Sequence, residues 1–166
     1  LQSFLLIGFA LLLLGCPYES PYSLDEQPKV PIDTSILGNW YVQDSPEDGG
    51  DINYYTFTKF NEKEYLMQAT DSTEKGDVGY FRIFISDIKS QKILNVQELV
   101  GSRHFMLFQY RFDAENNMYF SWAIDSILKT ETINSSKDLR KAVTKKLKEG
   151  NLFSMDNEMK FIRQED

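Results

Sequence analysis

A succession of short segments with alternating side chains constrains this chain more than any other feature. In Tyr80–Ile88, Phe81, Ile83 and Ile85 share one face, against Arg82, Phe84 and Ser86. In His104–Phe112, Met106, Phe108, Tyr110 and Phe112 alternate with Leu107, Gln109 and Arg111. In Met118–Ile124, Met118, Phe120, Trp122 and Ile124 oppose Tyr119, Ser121 and Ala123. A period of two places alternate side chains on opposite faces of an extended chain. Ile36–Val42, Asn53–Phe60, Tyr65–Thr70, Ile93–Val100 and Glu158–Arg163 also read as strands, with turn-forming residues between most of them. Short strands at this spacing predict an antiparallel sandwich or barrel. Aromatic residues make up 14% of the chain, and rings suit sheet faces better than helices. If the sheet closes, the bulky faces must turn inward, because soluble domains rarely expose so much contiguous apolar surface.

One segment has a different period. Leu139, Ala142, Val143 and Leu147 form a single helical stripe, with Arg140 and several lysines opposite. Ser135 and Asp138 are spaced as a capping box, and Gly150 stands where a helix stops. An amphipathic helix near the C-terminus is therefore expected to lie against the sheet. Its Lys137, Arg140, Lys141, Lys145, Lys146 and Lys148 read as a solvated face.

The first residues specify an address. Phe4–Leu14 is a run of about eleven apolar residues, too short for a bilayer that needs roughly 20. It has the length of a secretory signal core. Leu13-Leu14-Gly15-Cys16 resembles the bacterial lipoprotein signal, the lipobox. That resemblance implies cleavage before Cys16, a diacylglyceryl group with palmitate-type chains on its thiol, and a mature chain held in the cell envelope. Pro17 at the next position, where Asp would favour inner-membrane retention, points by the same resemblance to the outer membrane. No basic residue precedes the run in Leu1-Gln2-Ser3, so a truncated leader is expected.

Pro17, Pro21, Pro28 and Pro31 then stand among polar residues, which reads as a semi-stiff spacer. The expected organisation is a signal peptide at 1–15, a lipid-anchored Pro-rich linker at 16–34 and a β domain at 35–166. The acidic turn Gln43–Asp51 lacks the ordered ligand spacing of a calcium loop, so no metal or cofactor is expected. The net charge of −7 gives no basic face for nucleic acid and would repel an anionic membrane, so the body is expected to stand off on its tether.

Gly38-Asn39-Trp40 at the head of the domain matches the first-strand signature of the lipocalin superfamily, which this chain resembles in its strand count. The resemblance implies an up-and-down barrel of about eight strands. In that family the tryptophan plugs the closed end and a late arginine stacks across it; here that arginine is Arg163. The second lipocalin signature is absent, and the helix precedes the last strand rather than following the barrel. In layout the chain is also similar to uncharacterised envelope lipoproteins. An open antiparallel sheet curled around the helix is the alternative architecture.

Catalytic motifs are absent from the sequence: there is no nucleophile elbow, no zinc-protease helix and no phosphate-cradling glycine loop. The single histidine, His104, reads as an ordinary strand residue. A non-catalytic binding protein is expected, its barrel taking a small apolar or amphipathic ligand among Phe81, Ile83, Phe108, Tyr110, Phe120 and Trp122. The alternative is a structural or assembly protein that contacts an envelope membrane protein.

Overall fold

The alternating segments become strands because each finds a neighbour on both sides. The computed structural model describes residues 17–43, 52–71 and 78–164. The apolar run, Cys16 and the acidic turn after Gln43 lie outside the described residues. The described residues form nine strands: β1 (Glu19–Ser20), β2 (Gly38–Gln43), β3 (Ile52–Asn61), β4 (Glu64–Asp71), β5 (Val78–Ile88), β6 (Gln91–Glu98), β7 (Phe105–Phe112), β8 (Met118–Ala123) and β9 (Phe153–Arg163). Strands β2 to β8 pair in sequence order, and β9 closes the sheet by pairing with both β8 and β2. All pairings are antiparallel. The result is an eight-stranded barrel with β1 as an extra short strand on β7, and the open-sheet alternative is excluded.

The inward residues are those the alternation selects. Ile83, Ile85, Phe108 and Phe120 belong to the interior cluster, and Phe81, Met106, Tyr110 and Trp122 pack against it. Ile124 differs. It has left β8 to cap a short helix, α1 (Asp125–Leu128), instead of continuing the inward face.

The main helix, α2 (Ser136–Glu149), begins and ends where its caps dictate. Asp138 N–H donates to Ser135 Oγ at 3.1 Å, and Ser135 Oγ and the Asn134 N–H donate to the Asp138 carboxylate. Gly150 takes a left-handed φ of 74° at the C-terminal end. Leu139, Ala142 and Val143 are buried, in a cluster with Ile88, Ile93 and Leu107. These three strand residues alternate out of phase with the interior, so β5, β6 and β7 are apolar on both faces. The helix covers the outer one.

The Pro-rich segment shares that work. Rather than spanning free as a spacer, residues 17–33 form a strap down the outside of the barrel. Tyr18 donates its backbone N–H to Ala123 O, and β1 pairs Glu19 with Met106 and Ser20 with Phe105. Leu24 is buried in the outer cluster, and its N–H donates to Asn95 Oδ1 at 2.7 Å. Asn95, itself buried, returns its amide to Phe84 O and Ser86 Oγ. At the far end the Ile32 N–H reaches Glu62 O, between β3 and β4. The sheet supplies partners for the polar backbone between the prolines.

Asp25 locks the strap to α2. Its carboxylate is buried and meets Lys29 Nζ and Arg140 Nη1, both at 3.0 Å, while Arg140 Nη2 also donates to Asp87 O. Burial pushes this carboxyl up, but hydrogen bonds from Ser86 and Lys29 and the charge of Arg140 together hold it below the ordinary carboxylate range. A depressed folded-state pKa contributes stability above the unfolded value of about 3.9 and loses it as pH falls through the folded value. Asp25→Asn should therefore cost about 1–3 kcal/mol at pH 7, the range for hydrogen bonds to a charged group. In urea melts the gap from the parent should hold down to about pH 4 and narrow below it. An equal gap at pH 7 and in strong acid would show that the charge is not what holds the strap.

Candidate functional site

Among the described residues the barrel is sealed at one end and hollow at the other. At the sealed end the chain enters β2 through a single 3-10 turn, Thr34–Ile36, capped by Asp33. Ile36 and Trp40 are both completely buried, and the Trp40 indole N–H donates to Ile36 O at 2.9 Å. Arg163 pairs with Trp40 across the β2–β9 ladder, and its guanidinium carbon lies 4.0 Å from the indole centroid. The same guanidinium donates to Leu37 O at 3.0 Å and to Ser35 O at 2.7 Å. Gly38 must be glycine here. Its φ is +122°, and a Cβ would lie 2.9 Å from Arg163 Nη1.

Two interior tyrosines reach down to the same plug. The Asp33 N–H donates to Tyr65 Oη, which donates to Asp33 O, and the Tyr110 hydroxyl donates to Asp33 Oδ2 at 3.0 Å. Lys92 Nζ stands 3.6 Å from that oxygen. Burial, then the adjacent Asp33 carboxylate, push the Tyr110 hydroxyl well above its ordinary range. Burial opposes ionisation of Asp33 too, but bonds from Ser35 and Tyr110 with the Lys92 charge keep it low.

Above this floor lies a cavity of about 220 Å³, lined by Tyr55, Met67, Ala69, Phe81, Val96, Met106, Phe108, Phe120, Met159 and Phe161. Its base is a set of tilted rings: Phe120 and Phe161 have centroids 4.7 Å apart, and Phe108 and Phe120 5.8 Å. Phe108, Phe120 and Phe161 are buried, whereas Tyr55, Ala69, Phe81, Met106 and Met159 are half-buried. Exposure thus rises toward the end where β4 stops and β5 and β7 begin, and the cavity opens there. Rings joined by shallow contacts leave gaps that branched aliphatics would fill, and three methionines border the space.

Of the residues singled out by alternation, Phe81, Phe108 and Phe120 line the cavity. Ile83 is fully buried in the interior cluster outside the lining, and Tyr110 belongs to the plug. Trp122 stands opposite Phe108 in the β7–β8 ladder, packed on the interior cluster but outside the lining. Tyr55, Met67, Ala69, Val96, Met159 and Phe161 were missed as lining residues. Their inward phase was legible, but the height of each along its strand depends on the stagger of the ladders.

Polar groups do not converge on this space. His104 sits on the surface, its Nδ1 3.6 Å from a Glu19 carboxylate oxygen. Among the described residues no three His, Cys, Asp or Glu side chains are placed to share a metal ion, and no helix is long and apolar enough to cross a membrane. The chain matches no protein-family model, no curated protein and no solved structure. The described residues form a small β-barrel, plugged at one end and hollow at the other.

Removing the plug should be severe and removing its cover mild. Trp40→Ala deletes a buried ring and should cost about 3–5 kcal/mol. Arg163→Ala loses an exposed cation–π contact and two exposed hydrogen bonds and should cost less, about 1–2 kcal/mol. Denaturant midpoints that reverse this order would refute the account of the sealed end.

Proposed function

We propose that this chain is a non-catalytic, lipid-anchored protein of the bacterial envelope that holds a small apolar molecule in its barrel. The observation that carries the ligand reading is the apolar cavity over the Phe108–Phe120–Phe161 floor, half-open at one end. Pockets for drug-sized ligands run roughly 300–1,000 Å³, so about 220 Å³ suits something smaller. An apolar cavity of about 150 Å³ already accepts benzene. A single ring system or a short acyl segment fits; a folded long-chain lipid does not. Tyr55 brings a hydroxyl to a lining that is otherwise aromatic and aliphatic and carries no charge, so selection rests mainly on shape and apolarity.

The anchor reading is carried by Leu13-Leu14-Gly15-Cys16 at the end of the apolar run. A single acyl chain gives only marginal membrane binding, so stable attachment takes two or more. Outer-membrane placement follows from the lipoprotein resemblance and Pro17.

Both readings have direct tests. An aminonaphthalene probe should bind the purified protein with one-to-one saturation and a Kd of about 10 μM, roughly 7 kcal/mol. Ala69→Phe, which extends a ring into the space, should abolish saturation while far-UV dichroism stays unchanged. Linear uptake by the parent, or unchanged binding by the variant, would remove the cavity as the site. Separately, Cys16→Ser should leave the barrel folded and release the protein from membranes under a carbonate wash. Retention in the pellet would end the lipid-anchor reading.

A further inference from the structure

The strap fixes where an anchor must emerge. Pro17 is bridged to Ile124, and the Tyr18 N–H donates to Ala123 O at 2.9 Å. Both contacts are at the end of β8 farthest from the plug, beside the start of β7. Cys16 is one residue further, about 3.8 Å of backbone. The spacer that was to hold the body away from the membrane is used up along the barrel wall. An anchor on Cys16, or on the apolar run before it, therefore enters the bilayer at the hollow end.

That same end carries most of the exposed large apolar side chains. Tyr54, Tyr80, Leu99, Val100 and Phe60 are the ones exposed among the described residues. Tyr54 lies near the start of β3 and Tyr80 near the start of β5. Leu99 and Val100 follow β6, with the Leu99 N–H bonded to Tyr80 O. All four are at the hollow end; only Phe60, at the end of β3, is at the plugged one. The 99–104 connection is tied to the strap, since His104 faces Glu19. Tyrosine belongs where one side of a ring meets hydrocarbon and its hydroxyl meets water.

From these positions we infer that the hollow rim of the barrel rests on the bilayer, with Leu99 and Val100 dipping into its surface and Tyr54 and Tyr80 at headgroup level. The occupant is a zwitterionic lipid surface. The chain carries a net charge of −7, and an anionic leaflet would repel it. The cavity then opens toward the membrane rather than toward water, so its ligand is one that partitions into lipid. This rests on the anchor reading, and the experiment separates the two.

Val100 and Phe60 are 70% and 68% exposed and sit at opposite ends of the barrel, so they make matched reporters. Val100→Cys and Phe60→Cys are purified from membranes in the full chain, labelled with a nitrobenzoxadiazole fluorophore and reconstituted in phosphatidylcholine vesicles. The parent, treated alike, gives the background from Cys16. Residues seated at such an interface lie about 5–10 Å into the headgroup boundary, so doxyl-labelled lipid should remove about half the emission at 100 and almost none at 60. Aqueous iodide should do the reverse. Equal iodide quenching at both sites, with the protein floating with the vesicles, overturns the rim placement and leaves the anchor standing. Lipid quenching at 60 alone overturns it by reversing the orientation. Failure to float defeats the anchor reading, and the rim placement falls with it.

Discussion

The barrel closes through a seam far shorter than its other ladders. Between β2 and β9 only Trp40 with Arg163 and Tyr41 with Ile162 pair in register, extended by the Gln164 N–H to Asn39 O. What that seam lacks in ladder bonds it gains in side chains. Arg163 stacks on Trp40 and reaches two carbonyls of the entering chain, and Trp40 holds the 3-10 turn under the barrel. Gly38 leaves the room this needs. The first and last strands of the barrel, β2 and β9, are thus joined by a packed indole and a planar cation as well as by a short ladder.

The outer wall shows a second constraint. A strand buried on one face alternates apolar and polar, whereas a strand buried on both reads as a continuous apolar run. Between Phe81 and Ile88 only Arg82, Ser86 and Asp87 interrupt such a run, and Ser86 is itself buried. That wall needs a cover wider than one helix, and the strap supplies the rest. The buried polar groups there, Ser20, Ser23 and Asp25 of the strap and Asn95 of β6, find partners in the strap, the sheet and α2. Unpaired buried polar groups are costly, so such a network favours one docking position.

Inside, the balance between packing and space is set by ring geometry. Near the plug the aromatic side chains find polar partners at Asp33 and Ile36 and close the volume. Halfway up, Phe108, Phe120 and Phe161 meet at tilted angles with no polar atom among them, and Ala69 and Val96 are too small to fill the remainder. The cavity is the space left where large rings face small side chains.

Local sequence determined the strands, their inward faces and the helix with both caps, because each depends on neighbours within a few residues: period two in Met106, Phe108 and Tyr110, and a Ser135–Asp138 box. The similarity to a plugged barrel also placed Trp40 and Arg163 together from opposite ends of the domain. Only the tertiary structure decided what those elements enclose. Whether Phe81 lines a cavity or Ile83 lies buried beneath it depends on stagger, which two-residue periodicity does not encode. Tyr110 and Phe108 share a face and differ in role because one stands a pair of residues nearer Asp33. The prolines of 17–33 read as a spacer, but the chain bends repeatedly there and lies in a groove built by Asn95, Leu107 and Arg140, far away in sequence. Proline's fixed φ is a local property, whereas docking depends on a surface that only the closed barrel provides.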